Sequence, residues 1–490
     1  MSPPSPNRPE GFSDTLPWKR SVTIDVAVPP DQLSKLIDYL INILEHNPDL
    51  SRLSRSSIEG GALLQYRLNG MDGSSLDVAV QFLDKIYVYY SPYPENSASE
   101  KDLQSLDLQF ETLVRSYFAE QSKPSLFLIF SPKMNIIPGA KEGGLKKFLA
   151  SIIFGNMLYL FIITLIFSLI VYQFFQSYTP FVLVIGSFVL VLLAPKLLAA
   201  RGEFDITSDN PSIHIAELRM KRNEFDQVMK TCFPKISEIK KKIYESTLAI
   251  GKDLDQDTIT KSLNDYGAVC TPEAVNIKRV DVYHIVKDLA DKFGFRVPKI
   301  TLLNVLPPNA AATGVSPRHA TVLVTSGLIA QMDADEIKSV LAHEFSHVKA
   351  RDPLVLLSLA TLEYLVRVYV LWSFFAQFGF LVDLLYLIFS LTLLFFVAKF
   401  LEARADLDAA LVTGTPKLLA SSLRKLGLWK FHSRIFEVAN IGEWLKWDPH
   451  PPLYYRIRTL ETLDLSKVRH TYLTAIKGCL IGFINSFKER

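Results

Sequence analysis

Residues Leu341–Pro353 read LAHEFSHVKARDP. His343 and His347 are four positions apart, so on a helix they stand one above the other on a single face, with Glu344 directly after the first. Two imidazoles at that spacing suit two ligands of one zinc ion. A carboxylate turned about 100° away lies beside the ion, where it can take a proton from water. The bland alternative is a polar helix with two surface histidines. The pattern also leaves the set incomplete, because a catalytic zinc needs a third protein ligand.

The helix carrying the motif is legible. Asp333 is a plausible N-cap with Glu336 three residues on, a capping box. Ile337, Val340, Leu341 and Val348 recur at helical spacing, and Pro353 is the expected stop. Two downstream glutamates compete for the third position. Glu363 sits in an apolar run with Arg367 four residues later as a natural ion partner. Glu402 lies in FLEARADLDAA, where a second apolar stretch ends, and Asp406 follows four residues on, placed to accept a ring N–H from a ligating histidine. Glu402 is the expected ligand and Asp406 its neighbouring brace.

The elements that would bring these pieces together are membrane helices. From Phe148 to Pro195 there is no Asp, Glu, Lys or Arg, which is long enough for two passes at roughly 20 residues each. The turn falls at Gln176–Pro180. Lys146 and Lys147 precede the run and Lys196 and Arg201 close it, so both ends are expected on the cytoplasmic side. A second hairpin runs from Leu354 to Leu401, interrupted by Glu363, Arg367 and Asp383. It is read as spanning, against a helical pair lying partly in the interface. About four spans in the cell membrane then leave the N-terminal and catalytic parts facing the cytoplasm, with HEFSH and EARAD at one level.

A chain of 490 residues with 49% hydrophobic and only 21% charged residues is apolar for a soluble enzyme and long enough for about three units. A net charge of +3 suggests no nucleic-acid partner. Cys232, Cys270 and Cys479 form no CxxC pair, which argues against a disulfide framework or a cysteine metal site. Residues 1–19 have no apolar core and read as a disordered lead, not a signal peptide. Residues 20–145 alternate strand and helix signals, an α+β domain of unknown role, with PGAKEGGLKK as the linker into the first hairpin at 146–201. Residues 202–275 read as a charged helical insert. Residues 276–353 and 402–490 read as two parts of one catalytic domain around the second hairpin, 354–401. His46, His214, His284, His319, His432 and His470 have no ligand spacing and read as structural.

LAHEFSHVKARDP followed by two apolar spans and EARAD resembles the HtpX-type membrane zinc metallopeptidases, kin of the CaaX prenyl endopeptidases. PPNAAATG (Pro307–Gly314), VLVTSGLI (Val322–Ile329) and HPPLYYRI (His450–Ile457) resemble further family segments in the same order. The resemblance implies an α-helical membrane protein with a mainly α, zincin-type (α+β) metallopeptidase domain, beside the N-terminal α+β domain. It implies one Zn2+ per chain on His343, His347 and Glu402, with Glu344 as general base and His450 or Arg456 stabilising an oxyanion. Arg456 could equally hold Asp406. The strand Thr321, Val322, Leu323, Val324 would present its edge to an extended substrate, with Asn309 and Ala310 anchoring it. The implied function is zinc-dependent cleavage of membrane or misfolded proteins in quality control. The alternatives are a CaaX-type processing peptidase and a non-catalytic membrane adaptor with a structural zinc site. The chain departs from the family in its long N-terminal region, in its charged insert, and in Asp448-Pro449 before His450.

Overall fold

The computed structural model describes most of residues 18–131 and 157–488. Positions 19, 25, 27, 46–48, 70–73, 96, 99–102, 104–105, 108–109, 112, 115–116, 119–124, 200–203, 306, 315, 372–378 and 432–443 lie outside the description. So do nearly all of the expected lead and the whole of the expected linker.

Near the N-terminus, β1 (Arg20–Ile24), α1 (Pro30–Glu45), β2 (Leu50–Ile58), β3 (Gly61–Asn69), β4 (Ser75–Phe82) and β5 (Ile86–Tyr93) follow in order. The strands form an antiparallel sheet, β1-β5-β4-β3-β2. Leu36, Ile37, Leu40 and Leu44 recur at helical spacing on α1, and they pack with Leu64, Val78, Val80 and Val88 from alternate sheet positions. Phe110, Leu113, Val114 and Tyr117, from helical residues further on, join the same core. The α+β character read from the sequence is present.

A second sheet corrects the reading of 202–275 as helical throughout. β6 (Ser125–Phe130), β8 (Ser212–Arg219) and β9 (Val275–Asp281) pair antiparallel in the order β6-β8-β9. SIHIAELR is a strand because both of its faces are covered. Ile213 and Ile215 enter the large catalytic-side core, whereas Ala216 and Leu218 pack on helices at Arg222–Thr231, Ile236–Ser246 and Gln256–Asn264. The charged residues of those helices are the solvent side of a packed layer.

Between β6 and β8 in sequence come α2 (Met157–Phe175) and α3 (Thr179–Ala199), separated by a turn at Gln176–Tyr178 in which Gln176 adopts φ 45°. β7 (Phe204–Ile206), β10 (Lys299–Leu303), β11 (Ala310–Thr313) and β12 (Thr321–Thr325) make the third sheet, ordered β11-β12-β10-β7. Around it pack α4 (Val282–Phe293), α5 (Ala334–Ala350), α8 (Pro416–Phe431) and α9 (Leu453–Glu461). α6 (Asp352–Val366), extended by a π-helical turn at Arg367–Leu371, and α7 (Phe380–Thr413) form the second apolar pair. α10 (Thr471–Lys488) packs along α7.

Among the described residues, three stretches are long and apolar enough to cross a membrane: Ile166–Lys196, Asp352–Leu371 and Leu381–Thr413. The first runs through the turn at Gln176–Tyr178 and so covers two helices. Phe167, Leu169 and Phe174 on α2, Leu190 and Leu192 on α3, and Leu381, Leu385, Phe389 and Leu393 on α7 all point outward. Exposing that much apolar surface to water is unfavourable by about 25 cal/mol per Å2, whereas a lipid environment suits it.

Candidate metal centre

The motif helix α5 begins with the expected capping box: Asp333 accepts from the Glu336 backbone N–H at 2.8 Å, and Glu336 accepts from the Asp333 N–H at 3.1 Å. It ends one turn earlier than Pro353 suggested. Arg351 takes a left-handed conformation, φ 58°, and Pro353 sits in the first turn of α6, where its missing N–H costs nothing. This sharp break turns the chain from the motif straight into an apolar helix.

α5 and α7 lie side by side, and three donors converge between them. His343 Nε2 and His347 Nε2 are 3.2 Å apart, and each lies 3.4 Å from an oxygen of Glu402. Donors held about 2.0–2.1 Å from one ion at tetrahedral angles stand about 3.3–3.4 Å from each other, and these separations are of that size, His343 meeting Glu402 Oε2 and His347 meeting Oε1. Glu402 Oε2 is buried and accepts no aligned hydrogen bond, with His343 Nε2, His450 Nε2 and Arg456 Nη2 3.4, 3.6 and 3.8 Å away, so a bound cation would complete it. Among the described residues, His343, His347 and Glu402 are the only group of three or more such side chains placed to hold an ion. The residues therefore fit zinc. Glu363, the rival ligand, is paired with Arg367 at 3.3 Å in the apolar pair.

Each histidine is braced. His343 Nδ1 lies 2.9 Å from Asp406 Oδ1, and Arg456 donates twice to the same carboxylate, at 2.7 Å from both Nε and Nη2. Burial disfavours a charge on His343, but Asp406 and Glu402 outweigh it and push its pKa up to about 10. The pocket's own field thus favours positive charge at this point. Burial also works against the Arg456 guanidinium, and again Asp406 outweighs it and raises its pKa. Of the two roles read for Arg456, holding Asp406 is the one its contacts serve; its Nη2 is 3.8 Å from Glu402.

The brace on His347 had no counterpart in the sequence reading. Asp352 Oδ2 accepts from His347 Nδ1 at 2.6 Å and from Arg404 Nη2 at 2.6 Å. Arg404 is 2% exposed and also meets Asp408 at 3.4 Å and the Tyr472 hydroxyl at 3.4 Å. The signals were present as an acidic residue at a helix start and an arginine inside EARAD.

His450 points Nε2 toward Glu402 Oε2 at 3.6 Å, with Nδ1 3.0 Å from Asp448 Oδ1. That hydrogen bond holds the Asp448 carboxyl down at about 2. The loop is pinned from beneath: Lys399, fully buried on α7, donates to the carbonyls of Lys446 at 2.8 Å and Asp448 at 2.5 Å.

The substrate strand needs correcting. β12, carrying Thr321, Val322, Leu323 and Val324, is an interior strand, parallel to β10 and antiparallel to β11, so neither edge is open. The edge belongs to β11. Thr325 N–H donates to the Asn309 carbonyl at 3.0 Å, and antiparallel alternation then turns Ala311 and Thr313 toward β12 and Ala310 and Ala312 outward. Ala312 N–H indeed donates outward, to Glu344 Oε2 at 3.1 Å. Asn309 is tied through its backbone to Thr325, its N–H donating to Oγ1 at 2.8 Å, with its side chain exposed. The edge strand thus reaches the glutamate of the motif directly.

The family model for peptidase family M48 matches residues 276–464, from β9 to just beyond α9, and so takes in every side chain of this cluster except Tyr472. A curated relative, the protease HtpX homolog of Sulfurihydrogenibium sp. (strain YO3AOP1), is 31% identical over 217 residues, covering 37% of this chain and 73% of the relative. The protease HtpX of Legionella pneumophila (strain Corby) is 34% identical over 160 residues, covering 30% of this chain and 57% of its own length. Among solved structures, that of Ste24p from S. mikatae matches with a TM-score of 0.32 and 19% identity, over 37% of this chain and 50% of that one. With a His-His-Glu triangle inside the matched region and a relative aligned over most of its length, the chain belongs to peptidase family M48, among its HtpX-like metallopeptidases.

Proposed function

We propose that this protein is a zinc-dependent endopeptidase of the zincin type that cuts membrane or misfolded proteins at the cytoplasmic surface of the cell membrane. The observation that carries this reading is the triangle of His343, His347 and Glu402 with Glu344 set between it and the open edge of β11.

Zinc held by His343, His347 and Glu402 would supply Lewis acidity, making water easier to deprotonate and a scissile carbonyl more electrophilic. Glu344 takes the proton from the attacking water and passes it to the leaving amine nitrogen. Asp406 and Asp352 hold the two rings in place through Nδ1, so that both Nε2 atoms face the shared centre. An extended substrate pairs with the outward N–H and carbonyl of Ala310 and the outward carbonyl of Ala312, which accepts many sequences because it reads main chain. The Ala312 N–H ties edge and base together, fixing Glu344 beside the bond to be cut. His450, oriented by Asp448 on a loop pinned by Lys399, presents Nε2 on the Glu402 side, where a donated hydrogen bond stabilises an oxyanion.

Glu344→Gln tests the mechanism. Purified variant should keep about one zinc per chain, and its cleavage of an unfolded membrane-protein substrate should fall by about 10²–10⁴-fold, the usual contribution of a general base. Undiminished cleavage would end this reading. Membrane proteins that accumulate in cells with the same variant would identify substrates and separate quality control from processing of one lipid-modified protein.

A further inference from the structure

We propose that α10 is a membrane-seated helix whose outer face lies in the boundary between lipid headgroups and acyl chains, beside the span formed by α7. The inference rests on reading α7 as a membrane span.

The inner face of α10 is fixed by packing. Ala475 and Cys479 are buried in a cluster with Ala403, Leu407 and Trp444. A side chain at Gly478 would meet the Tyr455 hydroxyl at 2.7 Å, and one at Gly482 would meet Trp444 at 2.8 Å, so both glycines allow a close approach. The helix therefore cannot roll, and its other face is committed to the outside. That face carries Leu473, Ile476, Leu480, Ile481 and Ile484, all exposed, at helical spacing. Lys477 is the one basic or acidic residue from Thr471 to Ser486.

The level of this stripe is set by α7. The Tyr472 hydroxyl meets Arg404, Cys479 Sγ lies 3.8 Å from the Lys399 carbonyl, and the Phe483 ring is 5.0 Å from Phe396. α10 thus runs antiparallel to α7, from the charged metal-site end toward the apolar end. Between Asp383 and Lys399 α7 has no charged residue, so its apolar segment starts at Ala398 when read from the site. Phe396 is two residues, about 3 Å, inside that limit. Running alongside α7, α10 therefore carries its outer face across the end of the apolar segment, where headgroups meet acyl chains. α7 likewise carries outward apolar residues such as Leu393 and Phe389. A lone lysine on it suits headgroup phosphates, reached by extending its stem. A soluble protein partner would match the apolar stripe equally well, but not its register with the end of a span.

The test uses the full chain in vesicles of phosphatidylcholine and phosphatidylglycerol. Single nitroxide labels are placed through Ile476→Cys and Ile484→Cys, with Phe389→Cys as the span reference and Lys241→Cys as the aqueous reference. Collision rates with oxygen and with a water-soluble nickel chelate are compared at each site. Labels at 476 and 484 should show an oxygen-to-nickel ratio several-fold above that at 241 and approaching that at 389. Ratios equal to that at 241, or labels shielded from both reagents as under a protein cover, overturn the proposal while leaving the span intact. An aqueous ratio at 389 as well overturns the span reading itself, and the proposal with it.

Discussion

Asp352 offers the sharpest test of the site's construction, because it serves two buried partners through one oxygen. Asp352→Asn keeps the shape of the side chain and removes its charge. Its Oδ2 holds His347 Nδ1 and Arg404 Nη2, both at 2.6 Å, so the substitution weakens a histidine brace and an ion pair together. Loss of an outer partner of a metal-ligating histidine typically costs 10–100-fold in metal affinity, about 1.4–2.7 kcal/mol. The effect on folding is separate. Arg404 is 2% exposed and would keep only Asp408 at 3.4 Å as a carboxylate partner, so the folded state should lose about 1–3 kcal/mol from a poorly compensated charge. The two effects separate in the double variant Asp352→Asn/Arg404→Gln, which removes the stranded guanidinium. Zinc affinity is measured by competition with a fluorescent chelator, and stability by thermal unfolding of the metal-free protein. The double variant should regain most of the lost Tm while its zinc affinity stays 10–100-fold below wild type. If affinity returned together with Tm, Asp352 would act only as the partner of Arg404, and its role in aiming His347 would be refuted.

Other substitutions probe the remaining parts. Glu402→Gln should reduce bound zinc, measured by elemental analysis of the purified chain, far more than Glu363→Gln; the reverse would make Glu363 the third ligand. Ala312→Pro removes the outward N–H of β11 at an edge position that tolerates proline, so zinc content should hold while kcat/KM falls about tenfold, the worth of roughly one hydrogen bond of 1.4 kcal/mol. Unchanged kcat/KM would show that the Ala312 N–H link to Glu344 is dispensable. Lys399→Met leaves Asp448 and His450 on an unpinned loop, and kcat should fall with little change in KM or in zinc; an equal loss of zinc would assign Lys399 to the fold of the whole site. A cysteine at Asp209, in the turn between β7 and β8, should be labelled by an impermeant reagent only after the cells are opened from the cytoplasmic side, and labelling of intact cells would reverse the topology.

The metal triangle was legible because its geometry is local. HEFSH and EARAD each lie on one helix, where spacing fixes which side chains share a face. The Asp352 brace was hidden because it depends on Arg351 breaking the helix with a left-handed residue, which no pattern of hydrophobicity announces. The open edge of the sheet was read one strand too far in. AAAT has poor strand propensity and looks like loop, whereas TVLVT looks like the better strand because it is the buried one. A strand that reads strongly in sequence is more often central than open. SIHIAELR was missed for a related reason: with Glu217 and Arg219 near its end and charged helices following, its alternation was lost in its surroundings.

The position of the site relative to the bilayer follows from the length of one helix. α7 runs for 34 residues, about 51 Å, which is well beyond the roughly 30 Å of a hydrocarbon core. Counted from Phe380, Glu402 stands about 33 Å along the axis, one helical turn past Lys399, the first charged residue after the apolar segment. Tilt shortens the depth that the span covers and so moves Glu402 closer to the surface. The same helix then supplies Arg404, Asp406 and Asp408 in the next two turns, tying the ligand to α5, α6 and α9. The third ligand is therefore held in place by that network, whose Lys399, Arg404 and Asp406 are enclosed by the protein itself. On the proposed topology the metal-site end of α7 faces the membrane surface, and the substrates proposed for it are peptides leaving a transmembrane segment.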